Sequence, residues 1–233
     1  MIPKIIHQFK REDAESSRRI REIKDRNRNW KHIVWTVEDV RKLYSYLPPG
    51  HEDVSPKIEK FIENKMWQTF EEVARFLILF SYGGIFIDDG YEFSKGKKLR
   101  DIPFKDNDLV LFNSLLRDPK KWRINETVMA CSKNHRFMLQ LLSYIGNESY
   151  LPKSPWDGKV LEIYTSSYIT TQYSLYMSLW NQTPLLKSAI SHISNVDELK
   201  PMNKEVVLSP YYTFVQSPSL VMRHNVFCNK IIR

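Results

Sequence analysis

The stretch Met66–Phe93, MWQTFEEVARFLILFSYGGIFIDDGYEF, constrains the fold more than any other part of the chain. Met66, Phe70, Val73, Ala74, Leu77 and Ile78 share one face at helical spacing, which predicts an amphipathic helix. Gly83-Gly84 ends it, because glycine accepts the left-handed backbone of many helix exits. Ile85-Phe86-Ile87 then reads as a short buried strand, with Asp88 and Asp89 at its end. Ligands of open α/β sheets collect at the carboxyl ends of strands, so two carboxylates at this point mark a place for chemistry.

The same residues support a plainer reading. Asp89-Gly90 between Ile85-Phe86-Ile87 and Tyr91-Glu92-Phe93 is a strong hairpin signal, since both turn residues tolerate positive φ. Glu71 and Arg75 stand four apart, in the order of a solvent-exposed helix ion pair worth a few tenths of a kcal/mol. Local chemistry leaves both readings open.

A resemblance separates them. Arg75-Phe76, Ile78-Leu79 and the run Tyr82-Gly83-Gly84-Ile85-Phe86-Ile87-Asp88 resemble the signature of a glycosyltransferase family with a DXD-containing sugar-binding region. That family includes initiating α-mannosyltransferases and the glucosylating domains of large clostridial toxins. Its members read Ser-Asp-x-x-Arg-Tyr, then Leu-x-x-x-Gly-Gly-Ile-Tyr-x-Asp-x-Asp. Ile2-Pro3-Lys4-Ile5-Ile6-His7-Gln8 is similar to the family's opening strand, and Trp35-Thr36 to a second landmark. The likeness is concentrated in residues 1–93 and weaker, though continuous, beyond them. It implies a GT-A-like nucleotide-sugar transferase fold, a Rossmann-like mixed sheet flanked by helices.

The departures fall on the metal-binding half of the motif. Gly90 stands where the second aspartate of DXD is expected, and Asp89 fills the variable slot. Glu72 replaces the aspartate three residues before the arginine, and Phe9-Lys10 replace a tryptophan after the opening strand. Thr165-Ser166-Ser167 is a poor match to the family's Thr-Gly-Pro. Arg223-His224-Asn225 is similar to its C-terminal histidine without the tryptophan that usually follows.

Strand and helix signals alternate along the chain, which independently predicts an α/β sheet. Residues 2–9, 32–35, 109–112, 127–131, 206–208 and 219–222 read as strands. Residues 11–29 read as a polar, exposed helix, and Thr36 as the cap of a helix starting at Val37. Pro48-Pro49-Gly50 breaks the chain, residues 56–81 carry one or two helices, and a further helix runs over 137–144. The expectation is a single domain over residues 1–233, with room for a small helical insertion around residues 38–70. A chain of 233 residues is long enough to bury a substantial core.

A net charge of +8 suits a polyanionic partner such as a nucleoside diphosphate, a nucleic acid or an acidic membrane surface. Because the basic residues are dispersed and no nucleic-acid module is legible, nucleic acid is not the expected partner. The two cysteines, Cys131 and Cys228, make neither a zinc pattern nor a disulfide framework. No apolar run is long enough to span a membrane, and the N-terminus lacks the apolar core of a signal peptide. Together these lead us to expect a cytoplasmic location, in which the acceptor patterns at Asn125 and Asn147 carry no glycan.

From the resemblance, Asp88 is expected to touch the ribose, the donor sugar and metal-bound water, and Arg75 and Glu72 to hydrogen-bond sugar hydroxyls. Gly83 and Gly84 belong to the same cofactor-binding motif. Phe9 or Trp35 is expected to stack on the base, and His7 to lie near the nucleotide. Mn²⁺ or Mg²⁺ is the implied cofactor. Hard cations take oxygen ligands, so Asp88 and Asp89, with His224 nearby, form the expected metal set. Glu92 is a fallback ligand.

Three functions follow in order. The first is glycan biosynthesis: transfer of a sugar from a UDP- or GDP-sugar to a hydroxyl of a glycan, lipid or protein, with the retaining stereochemistry the family implies. The second is a catalytically weakened relative that binds sugar nucleotide or glycan, motivated by Gly90 and Glu72. The third, nucleic-acid binding, rests on charge alone.

Overall fold

The computed structural model describes residues 1–9, 14–88, 91–93, 98–101, 104, 108–113, 124–147, 205–208 and 214–216. Its centre is the helix anticipated from Met66 onward, Trp67–Tyr82, here α4, whose residues 72–81 are all buried. It follows strand β1 (Ile5–Phe9), helix α1 (Ala14–Arg26), strand β2 (Lys31–Trp35), helix α2 (Val37–Arg41), a 3₁₀ turn and helix α3 (Val54–Glu63). Strand β3 (Gly84–Ile87) follows α4 directly. Next come strands β4 (Tyr91–Phe93), β5 (Leu109–Asn113) and β6 (Ile124–Cys131), helix α5 (Arg136–Asn147), and strands β7 (Glu205–Leu208) and β8 (Phe214–Gln216).

Six strands form one mixed sheet in the order β2-β1-β3-β6-β5-β7. Strands β2, β1 and β3 run parallel, β6 runs antiparallel to both β3 and β5, and β5 is parallel to β7. The alternation of strand side chains sorts the core into two layers. Phe86, Leu109, Leu111, Met129 and Cys131 face α4, α3 and α5. Ile85, Ile87, Val110, Phe112, Val128 and Ala130 face the opposite side, with Ile23 of α1 and Trp30.

The hairpin read from Asp89-Gly90 does not form. Strand β3 has β1 on one side and β6 on the other, so it offers no free edge to Tyr91–Phe93. Strand β4 pairs instead with β8 in a separate two-stranded sheet. The cap at Thr36 does form, as a full capping box with Asp39.

Gly83 and Gly84 make the tight return from α4 into β3, with φ of +64° and +101°. A Cβ on Gly83 would lie 2.5 Å from the Lys133 nitrogen, and one on Gly84 2.6 Å from the Ile5 carbonyl oxygen. Only glycine fits where the chain enters between β1 and β6.

Topology also marks a crevice. From β1 the chain passes through α1 to β2 on one side, then through α2, α3 and α4 to β3 on the other. The sheet therefore reverses its winding between β1 and β3, and in open α/β sheets that is where ligands bind, outside the strands' carboxyl ends. Ile6 is level with Ile85 and His7 with Phe86, so Phe9 and Asp88 stand side by side at its mouth.

Candidate active site

Asp88 follows Phe86 by two residues, so strand alternation turns both side chains toward α4. Above them is Arg75, only 1% exposed and among the largest fully buried side chains of the protein. Its Cζ lies 4.8 Å from the centroid of the Phe86 ring, and its Nη2 is 3.8 Å from Asp88 Oδ2. That separation is an ion pair rather than a hydrogen bond. Arg75 is therefore not half of a solvent-exposed pair with Glu71, as its spacing allowed. Packing sends the guanidinium inward because α4 lies across the sheet and Phe86 supplies a ring for it to cover.

Glu72 stands one turn before Arg75 on the same side of α4, buried, and its Oε1 accepts a 3.2 Å hydrogen bond from Gln68 Nε2. The fold thus brings Arg75 to Asp88 at the carboxyl end of β3, with Glu72 one turn away on α4. This arrangement offers carboxylate acceptors for hydroxyl groups and a fixed positive charge for an anion. Buried and stacked on Phe86, the guanidinium is held in place before any ligand arrives.

The other expected residues are placed differently. His7 is fully buried, and protein groups engage both its ring nitrogens. Its Nε2–H donates to the Gly83 carbonyl at 2.7 Å, and Nδ1 accepts from Trp35 Nε1–H at 3.0 Å. Burial lowers its pKa from 6.5 to about 4, so the ring is neutral and ties β1, β2 and the α4–β3 return together. Phe9 is packed between Phe70 and Phe86, with ring centroids 5.7 and 5.3 Å away. Trp35 is buried against His7 and Tyr82. These three are core residues here, and neither aromatic presents a free face for a base.

Gly83 and Gly84 lie at the opposite end of β3 from Asp88, roughly 15 Å of extended chain away. Their role is in the backbone return, not at the crevice. Asp89, Gly90, His224 and residues 165–167 lie outside the described residues, as does the side chain of Glu92. Among the described residues no group of three His, Cys, Asp or Glu side chains is placed to hold a metal ion. No helix among them is long and apolar enough to cross a membrane.

Sequence reasoning missed one contributor. Phe86 reads as one more apolar strand residue, yet it is the surface on which Arg75 rests.

No protein-family model and no curated protein sequence matches the chain. Among solved structures it is similar to the PaToxG glycosyltransferase, with a TM-score of 0.54 and 15% identity over 82% of this chain and 73% of that one. A looser likeness is to a glycosyltransferase involved in the glycosylation of the major capsid of PBCV-1, with a TM-score of 0.38 and 10% identity over 89% of this chain and 82% of that one. The fold is α/β, a mixed sheet with flanking helices of the GT-A type.

Proposed function

We propose that this protein is a glycosyltransferase that moves a sugar from a nucleotide-sugar donor, a UDP- or GDP-sugar, to a hydroxyl of a glycan, lipid or protein acceptor. The observation that carries the reading is the buried Arg75–Asp88 pair at the carboxyl end of β3, beside the crevice where the sheet reverses its winding. The fold shared with the PaToxG glycosyltransferase supports it.

In this reading Asp88 accepts hydrogen bonds from ribose and sugar hydroxyls at the crevice mouth. Glu72 accepts from the donor sugar, and Arg75 directs its N–H groups to the sugar and the developing negative charge. A buried cation fixed in advance stabilises that charge more than a mobile surface cation does, because little reorganisation accompanies the reaction. Retention of anomeric configuration is the outcome the sequence resemblance implies.

A divalent cation, Mn²⁺ or Mg²⁺, belongs to the proposal. When bound it would neutralise charge on the leaving diphosphate. The Asp88 carboxylate is a hard oxygen ligand of the right kind. The described residues do not complete a ligand set around it, so Asp89, His224 and phosphate oxygens would have to do so. Gly90 at the position of a usual ligand favours a second reading, a catalytically weakened binder of sugar nucleotide.

A thermal-shift panel of UDP-, GDP- and CMP-sugars, with and without Mn²⁺, tests donor binding. A donor at a hundredfold over its Kd adds about 2.7 kcal/mol, or roughly 5–10 °C in a chain of this size. Donor hydrolysis or transfer then separates enzyme from binder. If no sugar nucleotide raises the melting point, both readings fail.

A further inference from the structure

Along the chain the basic residues are dispersed, but the fold leaves a group of them on one surface. Helix α1 turns Arg19 and Ile23 inward, where both are buried. At about 100° per residue, Arg18, Arg21 and Asp25 lie opposite them and face outward, with Lys24 at the flank. Arg18, Arg21, Lys24 and Asp25 are all exposed, as are Arg28 and Lys31 on the path from α1 into β2. Among the described residues none of these five cations has a carboxylate partner, and the nearby Glu22 is taken by Arg26. Their field reaches into the protein. Burial is the main cause of the low pKa of His32, about 4, and the Lys24 ammonium lowers it further. At His7, also lowered mainly by burial, Lys31 acts in the same direction.

We infer that this face, formed by Arg18, Arg21, Lys24, Arg28 and Lys31, docks the protein on an anionic lipid surface. Every exposed residue between positions 17 and 31 is polar or charged. The face therefore has nothing to insert into hydrocarbon or to fill an apolar groove, and its attraction is electrostatic. No aromatic ring is exposed there on which single-stranded bases could stack. A duplex presents fixed phosphates, and Asp25, between Arg18 and Arg21 on the outward side, would repel them wherever the helix lay. A fluid bilayer moves zwitterionic headgroups beneath that carboxylate and anionic ones beneath the cations, and it demands no register among the side chains. For the proposed transferase, such docking would favour hydroxyl acceptors carried on a membrane; the docking itself does not rest on that reading.

The test is co-sedimentation of the full chain with vesicles of phosphatidylcholine alone, or with about 30% phosphatidylserine, at about 0.1 M and about 0.5 M salt. Wild type is expected to bind only the anionic vesicles and to leave them at the higher salt. Each basic residue near such a surface is worth about fivefold in partitioning. The triple variant Arg21→Gln, Lys24→Gln, Arg28→Gln is therefore expected to bind about thirtyfold more weakly or worse. A control, Lys60→Gln, Lys65→Gln, Arg136→Gln, removes the same charge from exposed positions elsewhere and is expected to stay within about threefold of wild type. All six positions are exposed, so both variants are expected to melt within about 2 °C of wild type. Failure of the wild type to bind anionic vesicles overturns the proposal. Equal weakening by the two triple variants overturns it as well, since net charge and not this face would then be responsible. Displacement from the vesicles by a short DNA or RNA duplex at equal phosphate concentration, with duplex binding lost in the α1 variant, assigns the face to nucleic acid instead. Donor binding is read separately by thermal shift, so failure here leaves the donor reading in place.

Discussion

If Phe86 holds the Arg75 guanidinium in place, the two residues must be energetically coupled, and a double-mutant cycle reads that coupling. Arg75→Met keeps most of the side-chain volume and removes the charge. Phe86→Leu keeps an apolar residue and removes the ring. The Cζ-to-centroid distance of 4.8 Å is within the range of about 6 Å over which a ring attracts a cation. Both residues are 1% exposed, so the desolvated value of about 2 kcal/mol applies rather than the 0.5–1 kcal/mol of surface pairs. Each single variant also loses packing, and each Arg75→Met protein also loses the Asp88 contact. Both contributions cancel in the cycle because they appear with and without the partner change. Urea denaturation of the four proteins should give a coupling of about 1–2 kcal/mol, with unchanged denaturant slopes. Additivity within about 0.5 kcal/mol would show that the ring does not hold the guanidinium, and with it the argument for a pre-positioned cation would go.

Other consequences can be checked separately. Asp88→Asn is nearly isosteric and should melt like wild type while transfer falls by about a hundredfold or more; wild-type turnover would remove Asp88 from the site. Gly84→Ala must hold a φ of +101° with its Cβ 2.6 Å from the Ile5 oxygen, and should cost about 3 kcal/mol or more by chemical denaturation. Gly50→Ala, with φ +86° and open space around it, should cost only about 1 kcal/mol, and equal losses would refute the packing argument. His7 has a folded pKa of about 4, lowered chiefly by burial from 6.5. Its contribution is therefore complete above about pH 6.5 and declines as the pH falls toward 4, because the unfolded chain takes the proton first. Between pH 8 and pH 5 this amounts to about 2 kcal/mol from His7, and the similarly lowered His135 adds in the same direction. A stability change below about 1 kcal/mol over that interval would refute the assignment of His7 as a buried neutral histidine.

Features that depend on neighbours a few residues away were legible along the chain. The 3.6-residue apolar period specified α4, and Thr36 with Asp39 specified the capping box at α2. The apolar run after Gly83-Gly84 specified a buried strand ending at Asp88. Motif likeness singled out Glu72, Arg75 and Asp88, of which the fold pairs Arg75 with Asp88 at the end of β3.

Features that depend on residues far apart in the chain emerged only on folding. Tyr91–Phe93 has the local chemistry of a hairpin arm, but both edges of β3 are already taken by β1 and β6. Arg75 has the spacing of a surface pair, yet the sheet beneath α4 provides an aromatic ring and a carboxylate for it. His7, Phe9 and Trp35 have side chains suited to a nucleotide, but β1 and β2 carry them beneath the helices, where protein groups engage them. Local sequence specifies dihedral preference and side-chain period; burial and partnership are set by whatever the rest of the chain places opposite.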